Sequence, residues 1–139
     1  NETPRAAAYN FVTSIITENY AQTVELMTLG LFFELMPDLF GEGIPINQLF
    51  SPEYMHDIVD MRPVVKLGYE VVITDSQPFD TKGYFEEDSK YRGAPAFSIT
   101  FNCADTNNNF FDGSQGQYDT DVTVMVVIEE GKWKVFEFK

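Results

Sequence analysis

Apolar positions follow two rhythms along this chain. Up to about residue 62 they recur at helical spacing, and from Leu67 onward they alternate. Thr3 is a good N-cap and Pro4 suits the first helical position. Ala8, Phe11, Val12, Ile15 and Ile16 then share one face of a helix that stops at Glu18-Asn19. A second helix is expected from Tyr20 to about Met27. Leu31 to Phe40 is apolar nearly all round, which predicts a short buried helix or a lid. Another helix opens at Ser51 with Pro52 behind it. There Phe50 and Met55 take the positions of a hydrophobic staple, and Pro63 ends the helix.

Alternation then takes over. Leu67, Tyr69, Val71 and Ile73 form the first set, and Phe97, Ile99, Phe101 and Cys103 the second. Tyr118 to Ile128 is the third, and Lys132 to Lys139 the fourth, after a tight turn at Glu130-Gly131. Helices first and strands afterwards predict an α+β fold: N-terminal helices packed on an antiparallel sheet of about four strands. No repeat and no linker divides the chain, so residues 1–139 read as one domain.

A two-residue turn at Glu130-Gly131 sets a register in which Ile128 faces Trp133, Val126 faces Val135 and Met125 faces Phe136. Met125, Val127, Phe136 and Phe138 then share the face opposite to Val126 and Val135. A sheet with one solvated side is not expected to be apolar on both. Two covers suggest themselves. One is the connection Ser76 to Gly93, through Phe79, Tyr84 or Phe85. The other, favoured because that connection is so polar, is a homodimer through the outer sheet face.

Charge narrows the partners. The chain carries 22 acidic and 9 basic residues, a net charge of −13. Phosphate backbones and anionic membranes are held by clustered Lys and Arg, so neither nucleic acid nor such a surface is an expected partner. The longest apolar stretch, Leu29 to Phe40, is interrupted by Pro37 and is too short to span a bilayer. Cys103 is the single cysteine, so no internal disulfide and no cysteine zinc site can form. The chain opens at Asn1 rather than Met, which suggests that a targeting segment has been removed.

Candidate chemistry is sparse. Glu53, His56, Asp57 and Asp60 fall on one face of the helix after Ser51, as a metal site or an acid/base pair would require. A solvated face is the commoner origin of such a stripe, since Met55, Ile58 and Val59 lie opposite. Asp105, Asn107 and Asn109 match the first ligands of a calcium loop. The match then fails, with Phe110 where the turn needs Gly and Gly116 where a Glu is needed. No metal, cofactor or catalytic motif is therefore assigned. Tyr69 and Asp75, in the inward-facing set of the first strand, are the candidate ligand-binding residues at a pocket rim.

The opening, with Thr3-Pro4, Ala6-Ala7-Ala8, Phe11-Val12 and Ile15, then Asn19-Tyr20 and Val24-Glu25-Leu26-Met27, resembles small NTF2-like (cystatin-like) domains. The ending, Val122 to Ile128 followed by Glu129-Glu130-Gly131-Lys132-Trp133-Lys134-Val135-Phe136, looks like their last hairpin. It is similar in particular to NTF2-like domains of secreted lipoproteins from Gram-negative gut anaerobes. The resemblance implies a curved sheet wrapped around a long helix, with a pocket at the wide end of the cone, in a periplasmic or cell-envelope lipoprotein. Such relatives often pair through the outer sheet face. Two functions then compete. One is a non-catalytic module binding a small ligand or a protein. The other is an acid/base enzyme of the isomerase or dehydratase kind using Tyr69, Asp75 or His56.

Overall fold

The computed structural model of the protein describes residues 3–35, 69–105 and 119–139, with the backbone alone for 69, 70, 103–105, 119 and 120. It is an α+β arrangement: helices α1 (Pro4–Ile16), α2 (Tyr20–Glu25) and α3 (Leu29–Leu35), then strands β1 (Tyr69–Pro78), β2 (Ala96–Asp105), β3 (Asp119–Glu129) and β4 (Lys132–Phe138). The four strands form one open antiparallel sheet in the order β1-β2-β3-β4.

Helix α1 begins as its residues dictate. The Thr3 hydroxyl accepts the Ala6 N–H at 3.0 Å, and Pro4, which has no N–H to lose, fills the first turn. It ends in a Schellman motif. The Asn19 N–H donates to the Ser14 carbonyl at 2.8 Å and the Glu18 N–H to the Ile15 carbonyl at 3.1 Å. Glu18 takes the left-handed position, φ 59°, where glycine is usual. Helix α3 is capped by the Thr28 hydroxyl, which accepts the Leu31 N–H at 3.1 Å. Leu31 is buried, but Leu29 and Phe33 are about half exposed. The expectation of an all-round buried helix therefore fails for the part described.

The main core lies between the helices and one face of the sheet. Ala7, Ala8, Phe11, Val12 and Ile15 of α1 pack with Ile99, Phe101, Val122, Val124, Val126 and Val135. Helix α2 is tied to α1 by a buried hydroxyl pair, Ser14 Oγ to Thr23 Oγ1 at 2.7 Å. Between α2 and α3 the chain runs beside β4. The Val135 N–H donates to the Leu26 carbonyl at 2.6 Å, and the Thr28 N–H to the Val135 carbonyl at 2.8 Å. These two bonds cover part of an otherwise open sheet edge.

Both edge strands carry a bulge. In β4, Val126 pairs with Val135 as the turn predicts, but Met125 pairs with Glu137 and Val124 with Phe138. Phe136 is the extra residue, so Phe136 and Glu137 together oppose Met125. Phe138 is thereby returned to the helix side, where its ring lies 5.2 Å from that of Phe11. The assignment of Phe138 to the outer face is corrected on this point. In β1 the register shifts between Ile73 and Asp75, so Thr74 is the extra residue, and its hydroxyl donates to the Thr100 carbonyl of β2 at 3.3 Å.

The outer face is covered by the chain itself. Met125, Val127, Phe136 and Ala96 form a second buried cluster, joined by Phe79, Phe85, Tyr91 and Ala94. The rings of Phe79, Tyr84 and Phe85 stand 5.6, 5.4 and 5.2 Å from that of Phe136. Phe136 is 6% exposed. The favoured cover, a second copy docked on Met125, Val127 and Phe136, has no free surface there. The segment 79–94 turns Phe79, Phe85 and Tyr91 inward, leaves Tyr84 half exposed and keeps its charges outward, so its polar composition does not prevent it from being a lid. Thr81 organises it: its hydroxyl donates to the Ala94 carbonyl at 3.1 Å and accepts the Gly93 N–H at 2.8 Å. No helix among the described residues is long and apolar enough to cross a membrane.

Candidate functional site

The β3–β4 turn forms one wall of a recess in the described fold. Glu130 and Gly131 both have positive φ, 53° and 78°, the pair that a two-residue hairpin turn requires. The turn delivers Lys132, Trp133 and Lys134 beside the middle of α1 and the end of α2. Trp133 points to the helix side and meets Phe97 edge to face, with centroids 5.7 Å apart. Asn10 of α1 and Gln22, Glu25 and Leu26 of α2 complete the wall. Together with Gly131, Lys132, Trp133 and Lys134 they line a groove of about 570 Å³. That lies within the range of small-molecule sites, about 300–1,000 Å³.

Local chemistry holds these walls in place. The Lys134 ammonium donates to the Glu25 carbonyl, in the last turn of α2, where carbonyls lack helical partners and the dipole favours a cation. The Gln22 side-chain carbonyl accepts the Asn19 amide at 3.4 Å. The groove therefore presents an indole, two amides, a carboxylate and two ammonium groups. A second recess, about 330 Å³, lies against Val24, Met27, Leu29, Glu129 and Glu130 and shares Glu25, Lys132 and Lys134 with the first.

A third recess, about 220 Å³, lies between α3 and β4, lined by Leu31, Glu34, Leu35, Tyr84, Phe136, Glu137 and Phe138. Here the Tyr84 hydroxyl donates to Glu137. Partial burial, then the Glu137 carboxylate and the charge of Glu34, push the Tyr84 phenol up to about 12. A matching clasp lies further along the lid. The Tyr91 hydroxyl donates to Glu129, whose carboxylate also meets the Lys90 ammonium at 3.2 Å. Burial and Glu129 raise the Tyr91 phenol, and Glu129 raises the Lys90 ammonium.

Of the two candidate residues, only Asp75 has a side chain among the described residues. Asp75 is exposed and accepts the Gln77 amide at 3.1 Å. The bulge at Thr74 explains the difference from expectation. One extra residue shifts the alternation, so after Ile73 the inward set resumes at Ser76, opposite Ile99, and Asp75 turns to solvent. The Tyr69 and Cys103 side chains lie outside the described residues. So do Glu53, His56, Asp57 and Asp60, and the Asn107 to Gly116 stretch of the calcium-like loop. Among the described residues no group of three or more His, Cys, Asp or Glu is placed to hold a metal.

Sequence reasoning missed the groove because its walls come from three separate stretches, around 10, 22–26 and 131–134. The one local signal was a lone tryptophan between two lysines after a turn, which read as hairpin chemistry alone. No protein-family model matches the chain, and no curated protein matches it.

Proposed function

We propose that this chain is a non-catalytic binding module that takes a small polar ligand in the groove between α1, α2 and the β3–β4 turn. The observation that carries the reading is the groove itself: a volume of ligand size with one aromatic wall and several hydrogen-bonding side chains converging on it. The same reading includes an NTF2-like cone, supported by the meander sheet with α1 across one face. It also includes residence in the cell envelope as a lipoprotein, supported only by the resemblance of the two chain ends to such proteins.

The test is a nuclear magnetic resonance screen of the ¹⁵N-labelled chain against a mixed library of small polar metabolites. Binding is expected to shift the Trp133 indole and the Asn10 and Gln22 side-chain amides together. Shifts confined to another part of the molecule, or none at millimolar ligand, would remove the groove as the site.

A further inference from the structure

We infer that the groove selects a neutral, hydroxyl-rich ring compound, a glycan in chemical class; this rests on the reading of the groove as a binding site. Each hydroxyl of a sugar both donates and accepts. It is best met by a wall that offers both, and the residues lining the groove do so: the Asn10 amide does each, the Gln22 amide donates while its carbonyl is held by Asn19, Glu25 accepts and Lys132 donates. The Trp133 indole adds an apolar surface with a polar N–H edge, suited to the C–H face of a sugar ring.

The other ligand classes fit less well. A small anion would be drawn to two lysines, but Lys134 is already engaged with the Glu25 carbonyl. The Glu25 carboxylate stands in the same wall, and the whole chain carries −13, which repels anions at long range. A cation would be steered in by that net charge and then meet Lys132 and Lys134. A wholly apolar ligand would strip water from five polar side chains and give them nothing in return. A neutral polyol meets none of these penalties.

Trp133 is the only tryptophan in the chain and lines the groove, so its fluorescence reports on a ligand bound there. The experiment titrates the full chain with four probes: neutral di- and trisaccharides, a sugar phosphate, a polyamine and a medium-chain fatty acid. Saturable change is expected with a neutral saccharide, with an affinity that holds from low salt to about 0.5 M, where charge attraction is screened. The Asn10→Ala, Gln22→Ala double variant should weaken it by about tenfold or more, with the melting curve preserved. If the double variant melts early, the Gln22→Ala single variant carries the same demand at about threefold. Saturation by the phosphate, polyamine or fatty acid alone would overturn the glycan class while leaving the groove as a binding site. Silence from all four, with other small molecules still shifting the groove amides in the resonance screen, would also overturn the class. Silence in both experiments would remove the site itself.

Discussion

Glu129 is 9% exposed, and burying so polar a group is costly unless it is hydrogen-bonded. It has two partners, the Tyr91 hydroxyl and the Lys90 ammonium, both from the lid. Tyr84 and Glu137 repeat the device with a more open geometry. A phenol that faces a carboxylate resists becoming phenolate, since two anions would then stand together. The Tyr84 phenol is raised from 10.0 to about 12 in the folded protein. Between those values the unfolded chain has lost the proton and the folded chain keeps it. Stability contributed by Tyr84 is therefore full below pH 10 and declines as pH rises towards 12. We predict that melting temperature falls over this interval in the wild type, and falls less in Tyr84→Phe. Parallel loss in both proteins would show that the clasp contributes nothing.

The elements follow from capping and periodicity. Thr3, Pro4 and the spacing of Phe11, Val12 and Ile15 define α1, and all three apolar residues are at most 1% exposed. Phe11 is in contact with Phe138 from β4, so it bridges the first element and the last. We predict that Phe11→Ala costs about 3–5 kcal/mol in chemical denaturation, the usual result of an aromatic cavity that neighbours cannot fill. A loss below about 1 kcal/mol with cooperativity unchanged would mean that the site collapses freely. The strands show where periodicity is insufficient. Alternation places Val71, Ile73, Val124 and Val126 correctly, but it cannot register an extra residue. Both bulges occur at edges, where a single neighbouring strand tolerates the missing pair, and each moves the residues beyond it to the face opposite their expected one.

At the scale of the molecule, the sheet has two apolar faces and two different covers. The helices bury one, and residues 79–94 bury the other through Phe79, Tyr84, Phe85 and Tyr91. The second cover comes from a connection between adjacent strands and buries Met125, Val127 and Phe136, the residues a second copy was expected to cover. We predict that Phe79→Ser with Phe85→Ser loosens the lid, exposes Met125, Val127 and Phe136, and drives concentration-dependent association in sedimentation. Wild-type protein should show no association that Phe136→Asp relieves. Instead that substitution should destabilise the fold, because it places a charge in a closed cluster.

By itself the sequence determined the properties that depend on neighbours a few residues apart. The α1 cap, the helical face of Phe11 to Ile15, the four alternating strands and the Glu130-Gly131 turn are local matters of hydrogen bonding, backbone freedom and side-chain direction. The α+β order follows from them. The register up to Val126↔Val135 followed from the turn for the same reason. Only tertiary structure decided where the bulges lie, because a bulge is a mismatch between two strands and neither strand alone encodes it. That decision moved Asp75 to the surface and Phe138 to the core. It also decided what covers the outer face, since four aromatic residues in a polar connection become a lid only when Phe136 is there to receive them. The groove belongs to the same class. Asn10, Gln22 and Trp133 are ordinary residues in their own stretches, and packing α1 and α2 beside the last hairpin makes them one surface.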